Sequence, residues 1–144
     1  MSSPIQFFSE GIPFTLKNKA NTRKWLNSII REEKKKPWYT NFIFCNDDYL
    51  LELNKTYLHH ETLTDILTFP YEDDNDTISG DIFISIDRVR ENAEEFHQNF
   101  EKELQRVMVH GILHLIGYSD QDKIQKKIMT EREDYYLEKF YLAL

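Results

Sequence analysis

The chain has 144 residues, of which 40% are hydrophobic and 14% aromatic, and this composition excludes an intrinsically disordered protein although 30% of the residues are charged. The length favours one domain with its own core, which we expect to span residues 1–144. A formal net charge of −7 argues against a broad basic surface for nonspecific nucleic-acid binding and leaves only a local basic groove open.

The cysteine content and the N-terminal segment indicate in which compartment of the cell the protein is expected. Cys45 is the only cysteine and follows the apolar run Phe42–Phe44, so no disulfide forms within the chain and we expect a buried thiol in a reducing compartment. The first residues lack the pattern of a signal peptide, and no later stretch approaches the length of a membrane span. We therefore expect a cytoplasmic protein with no membrane partner.

The N-terminal third reads as a strand followed by a helix. Ile5–Phe8 predicts a short strand, and the apolar positions of the next segment recur at helical spacing over Arg23–Lys34. Either Asn21 or Thr22 is a plausible N-cap for this helix.

Three consecutive lysines, Lys34 to Lys36, follow that helix and precede Pro37. Their positive charge suits the negative end of a helix dipole, which favours a solvated helix end. The alternative is a surface patch that contacts phosphate groups.

The middle of the chain predicts a strand, a helix and a polar loop. Thr40–Cys45 is rich in β-forming residues, and Asn46 to Asp48 offer caps for a helix that reaches Tyr57. The loop contains His59 and His60, which could bind metal, contact RNA or face water.

Two further strands and a helix follow. Thr64–Pro70 and Gly80–Ser85 predict strands of an antiparallel hairpin, joined by the acidic surface loop Tyr71–Thr77. Asp87 could cap the next helix. The apolar positions of that helix are Val89, Ala93, Phe96 and Phe100.

The helix Glu101–Ile116 becomes apolar on nearly every face, which predicts a buried helix. Its interior Gly111 makes sense if a strand or a neighbouring helix packs closely there. A last helix is expected over Lys123–Leu142.

The C-terminal half of the buried helix carries a candidate metal site. His110 and His114 stand at i and i+4, so both imidazoles project from one helical face. Gly117 can end the helix in a left-handed conformation and let Asp120 fold back beside them. Two imidazoles and a carboxylate suit one catalytic zinc per chain with an open position, although iron and manganese use similar ligands. The alternative role of Asp120 is a cap for the helix that begins near Lys123.

The spacing is similar to that of metzincin peptidases, in which H-E-x-x-H precedes a glycine turn. Here Gly111 occupies the position of the glutamate that serves as general base. A peptidase is therefore the less favoured of the metallohydrolases.

The run from His110 to Tyr118, H-G-I-L-H-L-I-G-Y, resembles the signature of the bacterial YbeY family of metal-dependent, single-strand-specific endoribonucleases. Further segments resemble that family in the family's order, and they are Leu53–Tyr57, Thr64–Pro70 and Gly80–Ser85. The family usually continues Asp-His after the tyrosine, whereas this chain has Ser119 and Asp120, so the resemblance makes Asp120 the third ligand in place of a histidine.

The resemblance implies an α/β fold with a small mixed sheet flanked by about five helices, and a metal site on the buried helix and the following turn. It also implies an enzyme of ribosomal RNA maturation, at the 3′ end of the small-subunit RNA, and of ribosome quality control. The expected partners are single-stranded RNA, ribosomal RNA and ribosomal particles, with no DNA.

The family usually places an arginine where this chain has Leu58, and a leucine cannot bind phosphate. His59, His60, Lys55 or Lys17 could replace it.

The nucleophile and the general base are not identified by the sequence, and His59 and His60 are the candidates. A noncatalytic ribosome-assembly factor that holds metal and binds RNA stays open, because it would explain Leu58 without a substitute.

Overall fold

The computed structural model describes residues 4–59, 63–71 and 76–143, which form four strands and five helices. In chain order these are β1 (Ile5–Ser9), α1 (Lys19–Glu32), β2 (Lys36–Cys45), α2 (Asp47–Leu58), β3 (Ile66–Pro70), β4 (Thr77–Ser85), α3 (Ile86–Glu95), α4 (Phe100–Ile116) and α5 (Lys123–Ala143). The expected α/β fold with a small mixed sheet and about five helices is confirmed.

The strands form one sheet in the order β1-β2-β4-β3. β1 and β4 both lie parallel to β2, and β3 lies antiparallel to β4, with Ile66 opposite Ile84 and Pro70 opposite Gly80. The antiparallel hairpin that the sequence predicts is therefore present. Its register places the start of β3 beside the end of β4, since the amide of Ser85 donates to the carbonyl of Asp65.

The main core lies between one face of this sheet and helices α1, α3, α4 and α5, where α4 packs on β3 and β4. At Gly111 a Cβ atom would lie 2.9 Å from both Cδ1 of Ile66 and Cγ2 of Ile82. The close approach expected at this glycine is confirmed, and the sheet supplies it. A smaller cluster under α2 covers the opposite face and contains Cys45, Leu50 and Leu67.

The first helix differs from its sequence prediction. α1 begins at Lys19, four residues before Arg23, and neither Asn21 nor Thr22 caps it, because both lie inside the helix. Asn18 precedes it with a φ of 56° and no side-chain cap. The carbonyl of Asn18 already accepts from the amide of Thr22, so the helix starts about one turn before its buried face, which begins at Thr22.

The prediction that Asp87 caps the third helix is also wrong. Ser85 is the N-cap, because its hydroxyl accepts from the amide of Arg88, and Asp87 instead accepts a 3.0 Å bond from the amide of Asp47. By contrast, Asn46 caps α2 as expected, with its Oδ1 2.8 Å from the amide of Tyr49.

The apolar series through Phe96 and Phe100 does not belong to one helix. α3 ends at Glu95, His97 adopts a φ of 54°, and Phe100 begins α4. Phe96 is exposed as a result. Asn99 caps the new helix by accepting from the amide of Lys102, so local capping divides the apolar pattern in two.

The thiol of Cys45 is fully buried at the end of β2. Burial, with the nearby charges of Asp47 and Asp87, raises its pKa to about 12. The expected burial of the thiol is confirmed, and the raised pKa keeps it protonated near neutral pH. Among the described residues, no helix is both long enough and apolar enough to cross a membrane.

Candidate metal centre

Helix α4 holds both histidines rigidly. Its buried side is formed by a run of apolar residues that includes Val107, Met108 and Ile112, and this side packs into the main core. His110 and His114 lie at the border of the buried side, with their ring centroids 4.6 Å apart. The packing of the helix therefore fixes the position of both imidazoles before any ion is bound.

The turn after α4 brings Asp120 back to the histidines. Gly117 has a φ of 125°, which few other residues adopt, and its amide donates to the carbonyl of His114. The amide of Tyr118 donates to the carbonyl of Leu113. These two bonds form a Schellman motif, which ends the helix and reverses the chain. The role predicted for Gly117 is confirmed.

Three ligand atoms converge at this turn. Oδ2 of Asp120 lies 3.5 Å from Nε2 of His110 and 3.5 Å from Nε2 of His114, and the ligand atoms of the three residues all lie within 4.8 Å of one another. Tetrahedral zinc with bonds of about 2.0–2.1 Å separates its ligands by about 3.4 Å. The three side chains therefore fit a small transition-metal ion with little rearrangement.

The site is open on one side. The side chains of His110, His114 and Asp120 are 23%, 29% and 39% exposed, so a fourth ligand can approach from solvent. A structural zinc site would instead be closed by four protein ligands. Among the described residues, the three side chains leave room for a further ligand, as a catalytic metal site requires.

The other role considered for Asp120, a helix cap, belongs to a different residue. Oδ1 of Asp122 accepts a 2.8 Å bond from the amide of Gln125, and the carbonyl of Asp122 accepts from the amide of Lys126 at the start of α5. Asp120 is thus not needed as a cap and is free to face the histidines.

Glu133 on α5 hydrogen-bonds His110 at the ring nitrogen that faces away from Asp120. Its Oε2 lies 2.7 Å from Nδ1 of His110, and its side chain is only 7% exposed. A carboxylate can only accept, so Nδ1 carries the proton and Nε2 presents its lone pair to the metal position. Nη1 of Arg106 donates a 2.9 Å bond to the other carboxylate oxygen, which balances the buried negative charge. Spacing in the sequence gave no sign of Glu133, because only the packing of α5 on α4 brings it here.

The pKa values of the two imidazoles are shifted in opposite directions. Burial opposes the charged form of His110, but the hydrogen bond with Glu133 and the negative charges of Glu133 and Asp120 outweigh it, so the pKa of His110 lies above its usual value. Burial and the positive charge of His110 hold the pKa of His114 below its usual value. His114 is therefore the more readily neutral of the two, as a metal ligand must be.

Asp65 is a further acid near the site that the sequence reading did not single out. Burial raises the pKa of Asp65, and its charge interacts with those of His110, Glu133 and Asp120. A carboxyl group of raised pKa beside a metal position is a candidate for proton transfer. The only hint in the sequence was its place at the start of β3, in a segment shared with the resembled family.

The loop histidines are placed differently. His59 is the C-cap that follows α2, with a φ of 57°, and is exposed, and no contact joins it to His110, His114 or Asp120 within the described part of the chain. His60 lies outside the described residues. Leu58 is the last residue of α2 and is 41% exposed.

A cavity of about 870 Å³ opens at the other end of α4, beside Phe14, Leu104 and Met108. None of the three ligands lines it. Its size alone does not connect it with the chemistry of the metal centre.

Residues 7–141 match the family model described as Endoribonuclease YbeY. Endoribonuclease YbeY of Flavobacterium psychrophilum is 45% identical over 135 residues, which cover 94% of this chain and 96% of the relative. The protein of the same name from Cytophaga hutchinsonii is 45% identical over 130 residues, 90% of this chain and 91% of the relative.

The solution structure of TM1509 from Thermotoga maritima has the same fold, with a TM-score of 0.68 and 32% sequence identity, and the similarity covers 96% of this chain and 90% of that one. The family match runs from the first strand to the last helix and includes the helix of His110 and His114. This chain therefore belongs to the YbeY family.

Proposed function

We propose that this protein is a metal-dependent endoribonuclease that hydrolyses phosphodiester bonds of single-stranded RNA. The convergence of His110, His114 and Asp120 at one open position is the observation that supports it most strongly. The relatives named Endoribonuclease YbeY match 94% and 90% of this chain, and we assign the activity to one domain over residues 1–144.

We propose zinc as the ion, with one bound per chain. Two imidazoles, one carboxylate and a free position form the ligand set of many catalytic zinc sites. The ion would supply a water of lowered pKa and a positive charge for a phosphate oxygen. The negative charge of Asp120 makes that water less acidic than a third histidine would.

The protein's own residues would orient and neutralise the reacting groups. Glu133 holds the proton of His110 on Nδ1 and so keeps Nε2 aimed at the ion. For proton transfer, His59 and His60 remain the candidates from the sequence. Asp65 joins them, because its burial and raised pKa bring its protonation nearer to neutral pH.

The proposed substrate is ribosomal RNA at the 3′ end of the small-subunit RNA, handled on ribosomal particles in the cytoplasm. The relatives support RNA as the substrate class. The net charge of −7 supports a local contact with a short single-stranded segment and not a long duplex.

A noncatalytic assembly factor is the second candidate, and Leu58 favours it. This side chain stands where the family usually has arginine, and it can neither bind phosphate nor stabilise developing negative charge. A peptidase is disfavoured by Gly111, which faces Ile66 and Ile82 in the sheet and leaves no general base at that position.

A cleavage assay decides between these candidates. A 5′-labelled 20-nucleotide RNA without secondary structure is incubated with protein and Zn²⁺, next to a duplex and a DNA of the same sequence. We expect cuts in the single-stranded RNA that require metal and are absent in His114→Ala. His97→Asn, which changes a histidine remote from the ligands in sequence, should cut normally. Binding without turnover would identify the assembly factor and overturn the nuclease.

A further inference from the structure

The lysine tract, Lys34 to Lys36, connects the end of α1 to the start of β2 in the structure. α1 ends at Glu32, Lys34 adopts a φ of 65°, and Lys36 is already the first residue of β2. The tract is therefore a turn that leads directly into a strand. The amides of Lys34 and Lys35 donate to the carbonyls of Arg31 and Ile30, so the predicted helix end is confirmed, while Lys36 already belongs to the strand.

Two exposed aromatic residues follow the tract. Trp38 and Tyr39 are 56% and 60% exposed, and their rings meet edge to face with centroids 4.8 Å apart. Exposure of such large rings is unfavourable in water and suggests that something covers them in use. Single-stranded RNA is suited to bind there, because every type of base can stack on an exposed aromatic ring.

A β-bulge explains why both neighbouring rings reach solvent. In the pairing of β2 with β4, Pro37 lies opposite Ile78 and Thr40 opposite Gly80, so two residues of β2 face one residue of β4. Successive side chains of a regular strand point to opposite faces, and a bulge changes this direction locally. Trp38 and Tyr39 are the two bulged residues. Their common exposure is thus built into the backbone.

The tract is tied to the metal centre. Glu33, the residue before Lys34, accepts a 2.7 Å hydrogen bond from the hydroxyl of Tyr118, which lies two residues before Asp120. Counting bonds along this path puts Lys34 within roughly 25 Å of Asp120. A stacked strand rises about 3.4 Å per nucleotide, so no more than about seven nucleotides are needed to span the two.

The positive charge of the lysine tract also favours RNA as the ligand of this surface. Lys34 and Lys36 are exposed, and neither forms an ion pair with another described residue. Elsewhere the chain carries a net excess of acidic groups. A phosphate backbone would therefore be drawn to this tract in preference to most of the surface.

We propose that Lys34, Lys36, Trp38 and Tyr39 form a binding surface for single-stranded RNA that continues from the metal centre. The lysines contact phosphates and the two rings stack on bases of the strand whose scissile bond lies at the metal. This inference rests on the proposed nuclease function and extends it, because it assigns where the substrate lies outside the site of cleavage.

Binding of a 5′-fluorescein 12-nucleotide oligouridine, measured by anisotropy in EDTA to prevent cleavage, tests the surface. Lys34→Ala/Lys36→Ala should weaken binding and reduce the salt slope, d log K/d log[salt], by about 1.4, as expected for two lost contacts to a single strand. Trp38→Ala/Tyr39→Ala should weaken binding by about 30-fold or more, at about 1–3 kcal/mol for each lost stack, without changing that slope. The wild-type preference for the 12-mer over a 4-mer should shrink in both variants.

Matched controls are available on the same protein. Lys19→Ala/Lys24→Ala removes two exposed charges from the other half of α1, and Phe96→Ala removes an exposed ring at the end of α3. Both should bind like wild type. Trp38→Phe/Tyr39→Phe keeps both rings and should restore most of the affinity, which separates stacking from a loss of folding. RNA should also quench a part of the tryptophan emission that Trp38→Phe removes.

The outcomes separate this inference from the proposed function. Cleavage by wild type with normal binding by the lysine and aromatic variants would overturn the surface and leave the nuclease standing. Specific loss of binding in these variants, with no cleavage by wild type in Zn²⁺, would support the surface and overturn the nuclease. Absence of any oligouridine binding by wild type would overturn the surface directly.

Discussion

Nδ1 of His110 lies 2.7 Å from Oε2 of Glu133, a buried carboxylate on α5 that is 23 residues further along the chain. This bond fixes both the orientation and the tautomer of the imidazole. We expect Glu133→Gln to weaken zinc binding by about 10- to 100-fold, as measured by competition with a chromogenic chelator. Asp134→Asn, which changes the other acid bound by Arg106, should keep wild-type affinity. Equal affinity of Glu133→Gln and wild type would show that His110 needs no support from α5.

Substitutions of the two aspartates after α4, Asp120 and Asp122, should differ in their effects on metal content and stability. Asp120→Asn should lose most of the bound metal and Asp120→His should retain it, because imidazole is an equally good zinc ligand. Asp122→Ala should keep its metal and lose about 1 kcal/mol of stability, since it removes the cap of α5. Metal content and thermal unfolding of each variant provide the measurement. Full metal content in Asp120→Asn would exclude it as third ligand and direct attention to His59 or His60.

Asp65→Asn tests the proton-transfer role. The substitution keeps the size of the side chain and removes its ability to accept a proton, so we expect kcat to fall by about 10²- to 10⁴-fold. Metal content should remain near one ion per chain. Asp48→Asn, an exposed acid in the first turn of α2, is the control. If kcat of Asp65→Asn is unchanged, the base is one of the loop histidines or the metal-bound water acts alone.

The sign of the change in the free energy of unfolding is informative for Gly111→Ala. Helix propensity alone predicts a gain of about 0.5–1 kcal/mol. The new methyl group would lie 2.9 Å from Cγ2 of Ile82, which is held on a buried strand, so we expect overpacking to outweigh the gain. The net result should be a loss of about 1 kcal/mol in the free energy of unfolding, measured in urea. Ile82→Val would not relieve the contact, because valine keeps a Cγ2 atom. A stabilised Gly111→Ala would show that α4 can move away from the sheet.

The carboxylate of Glu33 should make stability depend on pH. Burial disfavours its charged form, but bonds from Tyr136, Tyr118 and Arg132 outweigh this, and the pKa of Glu33 lies below its ordinary value of 4.5. A carboxyl group with a lowered folded pKa contributes stability that is complete above the unfolded value and is lost as the pH falls through the folded one. Glu33→Gln should therefore cost roughly 1.5–3 kcal/mol at pH 7, and the difference from wild type should shrink below about pH 4.

Urea unfolding of both proteins between pH 3 and pH 7 measures this difference. Glu131→Gln, an exposed glutamate on α5, serves as the control and should follow wild type at each pH. A difference between Glu33→Gln and wild type that is constant across the range would mean that packing, and not charge, accounts for the role of Glu33.

Local features of the site were predictable from the sequence. The spacing of His110 and His114 fixes their common helical face, and Gly117 sets the Schellman turn that returns Asp120. Both depend on backbone geometry within a few residues, and a short segment contains all the information needed. The hairpin of β3 and β4 and the cap at Asn46 were predictable for the same reason.

Other local predictions were wrong because neighbouring contacts compete. Asp87 is a good cap by type, yet Ser85 holds that position and Asp87 binds the amide of Asp47 from another helix. The start of α1 moved to Lys19, because the amide of Thr22 bonds the carbonyl of Asn18 without any side-chain cap. For Asp87, a tertiary contact decided between two acceptable local conformations.

The residues that support the site were decided by tertiary structure alone. Glu133 reaches His110 from α5, Asp65 interacts with its charge from the residue before β3, and Glu33 reaches Tyr118 across 85 residues. No periodicity or motif in one segment encodes such distances, since they depend on how the helices pack on the sheet. The convergence of His110, His114 and Asp120 was determined by the sequence itself, because it depends on local backbone geometry, and the resemblance of several motifs was enough to indicate the family. The carboxylates behind them, and the exposure of Trp38 and Tyr39 at a bulge, required the packed structure.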